Sequence, residues 1–329
     1  MKPFRIFITR RIPDSGLGLF RKNNRFKVSV NQLDRPLTHQ ELIHNLKDKD
    51  GVICLLSDKI DKEIIDLSPS LRIIANYAVG YDNIDIGYAT CRGILITNTP
   101  GVLTEATAEL TWTLILAIAR RVTEAERFLR KGKFNHTNWS PTLLLGTDIH
   151  HKTLGIIGAG RIGQSVARKA IGFQMRILYT GHKTKPEFEK ETGSRRVSLS
   201  ILLKQSDFVC LHIPGNAQTY HLIGIKELRM MKHTAFLINV SRGTVVDENA
   251  LVKALRNKII AGAALDVYEK EPKIHPGLLK LDNVVLMPHL GSATVETRNK
   301  MAVMAAINLI AGLTGNRPPN LINPEIFYS

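Results

Sequence analysis

At 329 residues the chain is long enough for about two domains of roughly 100 to 200 residues each. Hydrophobic residues make up 44% and charged residues 22%, which excludes disordered, collagen-like and coiled-coil classes. The balance of 45 basic against 29 acidic residues, +16 overall, raises nucleic acid as a partner and requires a look at where the charge sits.

In chain order, the apolar runs Phe4 to Ile8, Gly51 to Leu56, Arg72 to Ala75 and Ile94 to Thr97 predict buried strands. The amphipathic stretches Thr38 to Leu46 and Lys62 to Leu67 predict helices between them. After the breaker Pro100-Gly101, one long amphipathic helix is expected from Thr104 to about Lys131, opening a second domain. Strands then recur near Leu154 to Ile157, Arg176 to Tyr179, Phe208 to His212, Ala235 to Val240, Ala261 to Leu265 and Val284 to Met287. Helices follow most of them, so the pattern predicts an α/β protein with two doubly wound parallel sheets. Pro318-Pro319 is expected to mark only an extended tail.

The surplus charge is uneven: +4 over residues 1–98, +11 over 99–289 and +1 over 290–329. Its densest cluster, Arg120, Arg121, Arg127, Arg130, Lys131 and Lys133, is interrupted by Glu124 and Glu126 and has few interleaved aromatics. It reads as a solvated helix face, and no nucleic-acid partner is expected. The longest apolar stretch, around Leu114 to Ala119, falls far short of a membrane span, and Phe4 to Ile8 is too short for a signal peptide. The expectation is a cytoplasmic protein without a membrane partner. Cys54, Cys91 and Cys210 lack CxxC spacing and a His-rich neighbourhood, so they are read as core residues, with no disulfide framework and no metal.

Gly158-Ala-Gly160-Arg161-Ile162-Gly163 follows the strand Thr153 to Ile157 and precedes the helical run Gln164 to Ala170. That context makes GxGxxG a dinucleotide fingerprint. Gly158 permits the tight turn, Gly160 admits the pyrophosphate and Gly163 allows close packing of helix on strand, while the helix N-terminus offers N–H groups to the phosphates. An NAD-binding chain places a carboxylate about 20 residues further on. Here the sequence reads Tyr179-Thr-Gly-His182-Lys183-Thr-Lys185, with no acid before Glu187. His182, Lys183 and Lys185 suit a 2′-phosphate, so NADP(H) is favoured over NAD(H).

Three polar clusters end later strands: Val240-Ser241-Arg242, Asp266 to Glu271, and Pro288-His289 to Thr294. In an open parallel sheet, such carboxyl ends border the ligand crevice. Reduction of a 2-keto acid needs a cation for the substrate carboxylate and carbonyl, a proton donor titrating near neutrality and a group to orient that donor. Arg242, His289 and Glu271 supply them in that order.

With Gly80-Tyr-Asp-Asn-Ile-Asp85, the glycine fingerprint, Arg242-Gly243, Glu271-Pro272 and Pro288-His289-Leu-Gly-Ser-Ala-Thr294 in this order, the chain resembles the D-isomer-specific 2-hydroxyacid dehydrogenases over almost its whole length. Asn76 to Gly80, Trp139-Ser-Pro141, Arg176 to Tyr179 and Pro318 to Asn323 make it most similar to the glyoxylate and hydroxypyruvate reductases within that family. The resemblance implies a Rossmann cofactor domain over residues 99–289, inserted into a flavodoxin-like substrate domain of residues 1–98 and 290–329. Hinges are implied near Asn98 to Gly101 and near Leu290-Gly291.

It further implies that the N–H groups of Val79 and Gly80 hold the substrate carboxylate. Leu55, Leu56, Tyr77 and Trp139 are then expected to shape the pocket, Trp139 reaching in from the partner of a homodimer. The implied cofactor contacts are Thr107, Gly158, Gly160, Arg161, Ile162, Gly163, His182, Lys183, His212, Pro214, Val240, Ser241, Arg242, Asp266, His289 and Gly291, with Asp266 on the nicotinamide carboxamide. One departure stands out. Relatives with firm NADP preference carry Ser-Arg or Arg-Ser after the second strand, where this chain has Gly181-His182.

The expected reaction is hydride transfer between NAD(P)H and C2 of a small anionic 2-keto acid such as glyoxylate or hydroxypyruvate, with Arg242 gripping the substrate and His289 donating the proton. Glu271 beside the imidazole favours its charged form. The alternatives are a reductase for a larger acid such as 2-ketogluconate and a non-enzymatic, dinucleotide-sensing corepressor.

Overall fold

Short runs rich in Ile, Val and Leu become strands buried on both faces, as parallel sheets require when helices cover them. In the computed structural model, which describes residues 2–21, 23–33 and 35–327, these are β1 (Phe4–Ile8), β2 (Phe26–Val30), β3 (Gly51–Cys54), β4 (Ile73–Asn76) and β5 (Leu95–Thr97). They form a five-stranded parallel sheet in the order β2-β1-β3-β4-β5. The helices between them are α1 (Asp14–Arg21), α2 (His39–Leu46), α3 (Lys62–Asp66) and α4 (Ile86–Cys91). Thr38 and Glu41 close a capping box on α2. β3 ends two residues earlier than its apolar run suggests, because the Leu55 N–H turns to the Asp58 carboxylate.

α1 and β2 carry no strong sequence signal. α1 has eight residues, two of them glycine, and β2 buries Phe26 while exposing Lys27 and Ser29, as an edge strand does.

The second sheet has seven parallel strands in the order β12-β11-β10-β9-β6-β7-β8. These are β6 (Thr153–Ile157), β7 (Arg176–Thr180), β8 (Arg195–Arg196), β9 (Phe208–Leu211), β10 (Phe236–Asn239), β11 (Gly262–Leu265) and β12 (Val284–Leu286). The order reverses on either side of β6, which makes the carboxyl end of β6 the switch point where ligands bind in open α/β sheets. β8 escapes prediction because its two residues are both arginine.

One expectation is corrected here. The segment from Thr104 to Lys131 is two helices, α5 (Thr104–Ala119) and α6 (Val122–Arg130). Arg121 between them has a left-handed φ of 53°, and the Ala119 carbonyl accepts the N–H of Thr147 instead of continuing the helix. α5 is apolar nearly all round and buried, whereas α6 is amphipathic yet buries no residue. The remaining helices of this sheet are α7 (Arg161–Ala170), α8 (Pro186–Thr192), α9 (Leu199–Gln205), α10 (Ile225–Met230) and α11 (Glu248–Arg256).

α12 (Val295–Leu313) returns to the first sheet and packs on α1, β3 and β4. The chain therefore forms two units, Met1–Leu103 with Ser292–Ser329, and Thr104–Gly291. The junctions fall at 103/104 and 291/292, against 98/99 and 289/290 from sequence. Residues 98 and 99 stay with the first unit because Asn98 Nδ2 donates to the Val79 carbonyl and the Thr99 N–H to that of Ala78. The closing segment is also more than a tail. Leu321 bridges Thr97, the Ile322 N–H donates to Ile96, and Asn323 bonds both Ile94 and Ile96 along the edge of β5. Among the cysteines, Cys54 and Cys210 are buried, but Cys91 is exposed, because it ends α4 at the surface.

Candidate active site

The turn from β6 into α7 is built around its glycines. Gly158 sits at φ 98°, where a Cβ would stand 2.5 Å from the His212 carbonyl oxygen. A Cβ on Gly163 would stand 2.3 Å from the Gly158 carbonyl oxygen, so α7 packs tightly on the turn. Gly160 is exposed, and among the described residues beyond its chain neighbours no atom lies within 4 Å of a would-be Cβ. As N-cap of α7 it offers no side-chain acceptor, leaving the first-turn N–H groups around Arg161 and Ile162 to an outside anion. His212 follows β9 beside this turn. Its Nε2 is buried and has no hydrogen-bond partner among the described residues, and burial pushes the ring down to about 3, so it stays neutral. An open cradle with one orphaned buried nitrogen fits a dinucleotide. Pro214 lies exposed just beyond, its carbonyl accepting the Thr219 hydroxyl.

β10, β11 and β12 are neighbours, so their carboxyl-end loops meet. After β10 and the buried Val240, Asn239 Oδ1 accepts both the N–H and hydroxyl of Ser241, and its Nδ2 donates to the Arg242 carbonyl. That clamp turns Arg242 out of the strand, half-buried, with Nη1 on the Ser241 carbonyl at 2.9 Å. After β11, Asp266 is buried and accepts the N–H groups of Leu290 and Gly291 at 2.6 and 2.8 Å, while its own carbonyl accepts the N–H of His289. Burial raises the Asp266 carboxyl from its ordinary value. Thr107 of α5 is buried next to Gly291.

His289 is held at φ 57°, a conformation few non-glycine residues adopt. The bonds from His289, Leu290 and Gly291 to Asp266 hold the backbone in that conformation. Its Nδ1 lies 2.8 Å from Glu271 Oε2, and Glu271 Oε1 accepts the Tyr268 N–H at 2.9 Å. Burial would raise the Glu271 carboxyl, but the hydrogen bond and charge of His289, the Tyr268 N–H and Arg242 outweigh it and hold the group below its ordinary value. Glu271 thus bonds His289 and also feels the charge of Arg242.

In the first unit, Asn76 and Asn83 bind one another at 3.1 Å. Asn76 Nδ2 also donates to the Gly80 carbonyl and Asn83 Nδ2 to that of Leu55, so the Leu55 and Val79-Gly80 turns are tied together. The N–H groups of Val79 and Gly80 donate to no protein group among the described residues. Tyr77 is buried, its hydroxyl on the Arg298 carbonyl, and Leu56 is half-buried.

The description "D-isomer specific 2-hydroxyacid dehydrogenase, NAD binding domain" belongs to a family model that matches residues 112–291. The chain belongs to this family. It is 52% identical over 328 residues to a glyoxylate reductase of Korarchaeum cryptofilum, covering 99% of this chain and 97% of that protein. The TT0316 protein of Thermus thermophilus superposes with a TM-score of 0.91 at 42% identity, covering 97% of this chain and 100% of that one. An NADPH-dependent glyoxylate/hydroxypyruvate reductase of Sinorhizobium meliloti, in complex with NADP and malonate, superposes with a TM-score of 0.85 at 33% identity over 98% and 97% of the two chains.

The dehydrogenase is therefore an oxidoreductase with an NAD-binding domain in its second unit. Its loop after β7 presents His182 and Lys183 exposed and Lys185 half-buried. Trp139 lies far from any core: it is 73% exposed, touching Phe134 at 6.1 Å between ring centres. Sequence reasoning missed the dehydrogenase's positioning groups Asn239, Asn76 and Asn83. Asn76 and Asn239 end strands and Asn83 lies in the loop after β4, all of a residue type that bonds nearby backbone, but nothing in the sequence names the partners that each one ties.

Proposed function

We propose that this dehydrogenase reduces a small 2-keto acid, glyoxylate or hydroxypyruvate, to the 2-hydroxy acid, with NADPH preferred over NADH. The observation that carries the reading is the 2.8 Å contact of His289 Nδ1 with Glu271 Oε2, beside the loop that presents Arg242. With Nδ1 engaged, Nε2 is the ring nitrogen that faces chemistry. The cofactor, when bound over Gly158 to Gly163, supplies the hydride to C2. Arg242 holds the carboxylate and polarises the carbonyl, and His289 Nε2 delivers the proton that converts the developing alkoxide to a hydroxyl. Glu271 orients the ring and stabilises its positive charge before that transfer. The N–H groups of Val79 and Gly80, which donate to no protein group among the described residues, support reading the first unit as the substrate domain.

NADPH preference is supported by the absence of an acid between Thr180 and Lys185 and by the cations there. Oxidation of NADPH and NADH, followed at 340 nm with glyoxylate, hydroxypyruvate, pyruvate and 2-ketogluconate, tests both parts. Turnover with glyoxylate or hydroxypyruvate and NADPH is expected. Oxidation with none of the acids would leave a dinucleotide sensor, and 2-ketogluconate as best substrate would move the reading to a larger acid.

A homodimer is supported by the surface of the second unit. Leu129, Phe134, Trp139 and Leu145 are all more than half exposed, and Leu145 also lines a cavity of about 430 Å³ at the amino ends of β10 to β12. A second copy would cover this apolar surface and bring its Trp139 to the substrate pocket. Light scattering is expected to give twice the 36.7 kDa chain mass, and Trp139→Ala to change the ratio of glyoxylate to 2-ketogluconate turnover.

A further inference from the structure

His182 and Lys183, the cations expected to recognise a 2′-phosphate, are exposed, and their side chains make no hydrogen bond or ion pair among the described residues. A guanidinium reaches the same loop from the neighbouring strand. Arg196 ends β8 and lies opposite Tyr179 in the parallel register. Its Nε donates to the Gly181 carbonyl at 3.0 Å and its Nη2 to the His182 carbonyl at 3.3 Å. Two bonds to successive carbonyls set the plane of the guanidinium against the turn. Of its five N–H groups, those on Nη1 and the second on Nη2 have no partner among the described residues.

We infer that Arg196 supplies the guanidinium fork of a 2′-phosphate site assembled across β7 and β8. The inference rests on the cofactor reading above and names the residue that makes it specific. Three observations carry it. The fork stands at the loop where a Rossmann sheet meets the adenosine ribose. No carboxylate lies within ion-pair distance of it among the described residues, whereas Arg168, its counterpart on α7, is held by Glu191 at 2.7 Å. Glu189 engages Arg196 through the backbone alone, its Oε1 accepting the Tyr179 hydroxyl and the Arg196 backbone N–H, at 2.9 and 3.1 Å. A planar fork already oriented by two carbonyls loses little freedom on taking a phosphate, which mobile lysines do not match. The missing arginine of the Gly181-His182 turn is thus replaced by one fourteen residues from His182.

The test is direct binding by calorimetry of NADPH, NADH, adenosine 2′,5′-bisphosphate and 5′-AMP to the full-length enzyme and to Arg196→Ala and Arg196→Lys. Arg196 is exposed, and thermal unfolding checks that both variants fold. Arg196→Ala is expected to bind NADPH and the bisphosphate about 10- to 100-fold more weakly, with NADH and 5′-AMP within about twofold of wild type. Arg196→Lys should recover only part of the loss, because it keeps the charge without the fork. Equal weakening of NADPH and NADH would make Arg196 a brace for the turn and overturn the inference, as would no change in either. A wild-type enzyme that binds NADH as tightly as NADPH would remove the cofactor preference, yet selective loss of NADPH in Arg196→Ala would still establish the contact. Binding of neither dinucleotide to wild type would defeat both.

Discussion

The loops after β10, β11 and β12 and the loop after β7 stand at the same carboxyl edge of one sheet, yet they hold their charged groups in opposite ways. In the first, Asn239 clamps the Arg242 loop, Asp266 clamps the His289 loop, and Glu271 engages the imidazole itself. In the second, His182 and Lys183 are exposed and unbonded, and only the backbone of the loop is held, by Arg196. Under the proposed function the difference follows from the tasks. Proton transfer requires one ring nitrogen aimed at one oxygen, and its efficiency collapses with small displacements. Attraction of a phosphate by several cations tolerates loose geometry. On that reading, rigidity at this edge is concentrated where bonds change.

The comparison breaks most visibly at His289. Folded His289→Ala is expected to lose about 100- to 10,000-fold in kcat for keto-acid reduction, the worth of a positioned general acid; near-normal turnover would remove the residue from that role. Next comes Arg242. Arg242→Ala should lower kcat/KM about 100- to 1,000-fold, with Arg242→Lys recovering little, since the planar fork matters as much as the charge.

A stability measurement probes the cradle between the two regions. His212 is neutral in the fold down to about pH 3, while the unfolded chain takes a proton near the ordinary value of 6.5. Its contribution is therefore complete above pH 6.5 and is lost as pH falls through the window from 6.5 toward 3. At pH 5 the loss is about 2 kcal/mol, and denaturant unfolding of His212→Asn should show that much less acid sensitivity.

Glu271→Gln sharpens the contrast in a smaller way. The Glu271 carboxyl is held below its usual range, so the stability it contributes is present at neutral pH and fades only as acid titrates it through that lowered value. Folded Glu271→Gln should lower kcat for keto-acid reduction by less than His289→Ala does, because His289 Nδ1 loses the carboxylate that orients the ring. Unchanged turnover would show that the pair does not position the imidazole. Least of all, Lys183→Ala should raise the KM for NADPH by about two- to threefold, the modest effect of one exposed cation. A loss as large as that of Arg196→Ala would show that the loop side chains are not as loosely engaged as their exposure suggests.

Both sheets were legible from apolar runs, and the fingerprint, Arg242, Glu271 and His289 were legible from spacing, because a tight turn or a buried strand demands particular residues locally. α1, β2 and β8 were not: two are short and half-exposed, and one consists of Arg195 and Arg196. The break after Ala119 was hidden because Arg120 and Arg121 are good helix formers. What ends α5 is the Thr147 N–H on Ala119 and Gly146 lying against that carbonyl, both distant in sequence.

The opening surplus of +16 gains one assignment, Arg196, and most of the rest stays on the surface. The sequence by itself determined the cradle, the candidate trio of Arg242, Glu271 and His289 and the family, since each rests on residue types that short stretches of backbone or the proposed proton transfer require. Only the tertiary structure decided which side chains hold those groups in place: Asn76 with Asn83 under the Gly80 turn, Asp266 under His289 and Arg196 under Gly181. The physical reason is that such bonds tie loops after different strands, as Asn83 reaches Leu55 and Asp266 reaches Leu290 and Gly291, and residue spacing carries no record of which ends the sheet brings together.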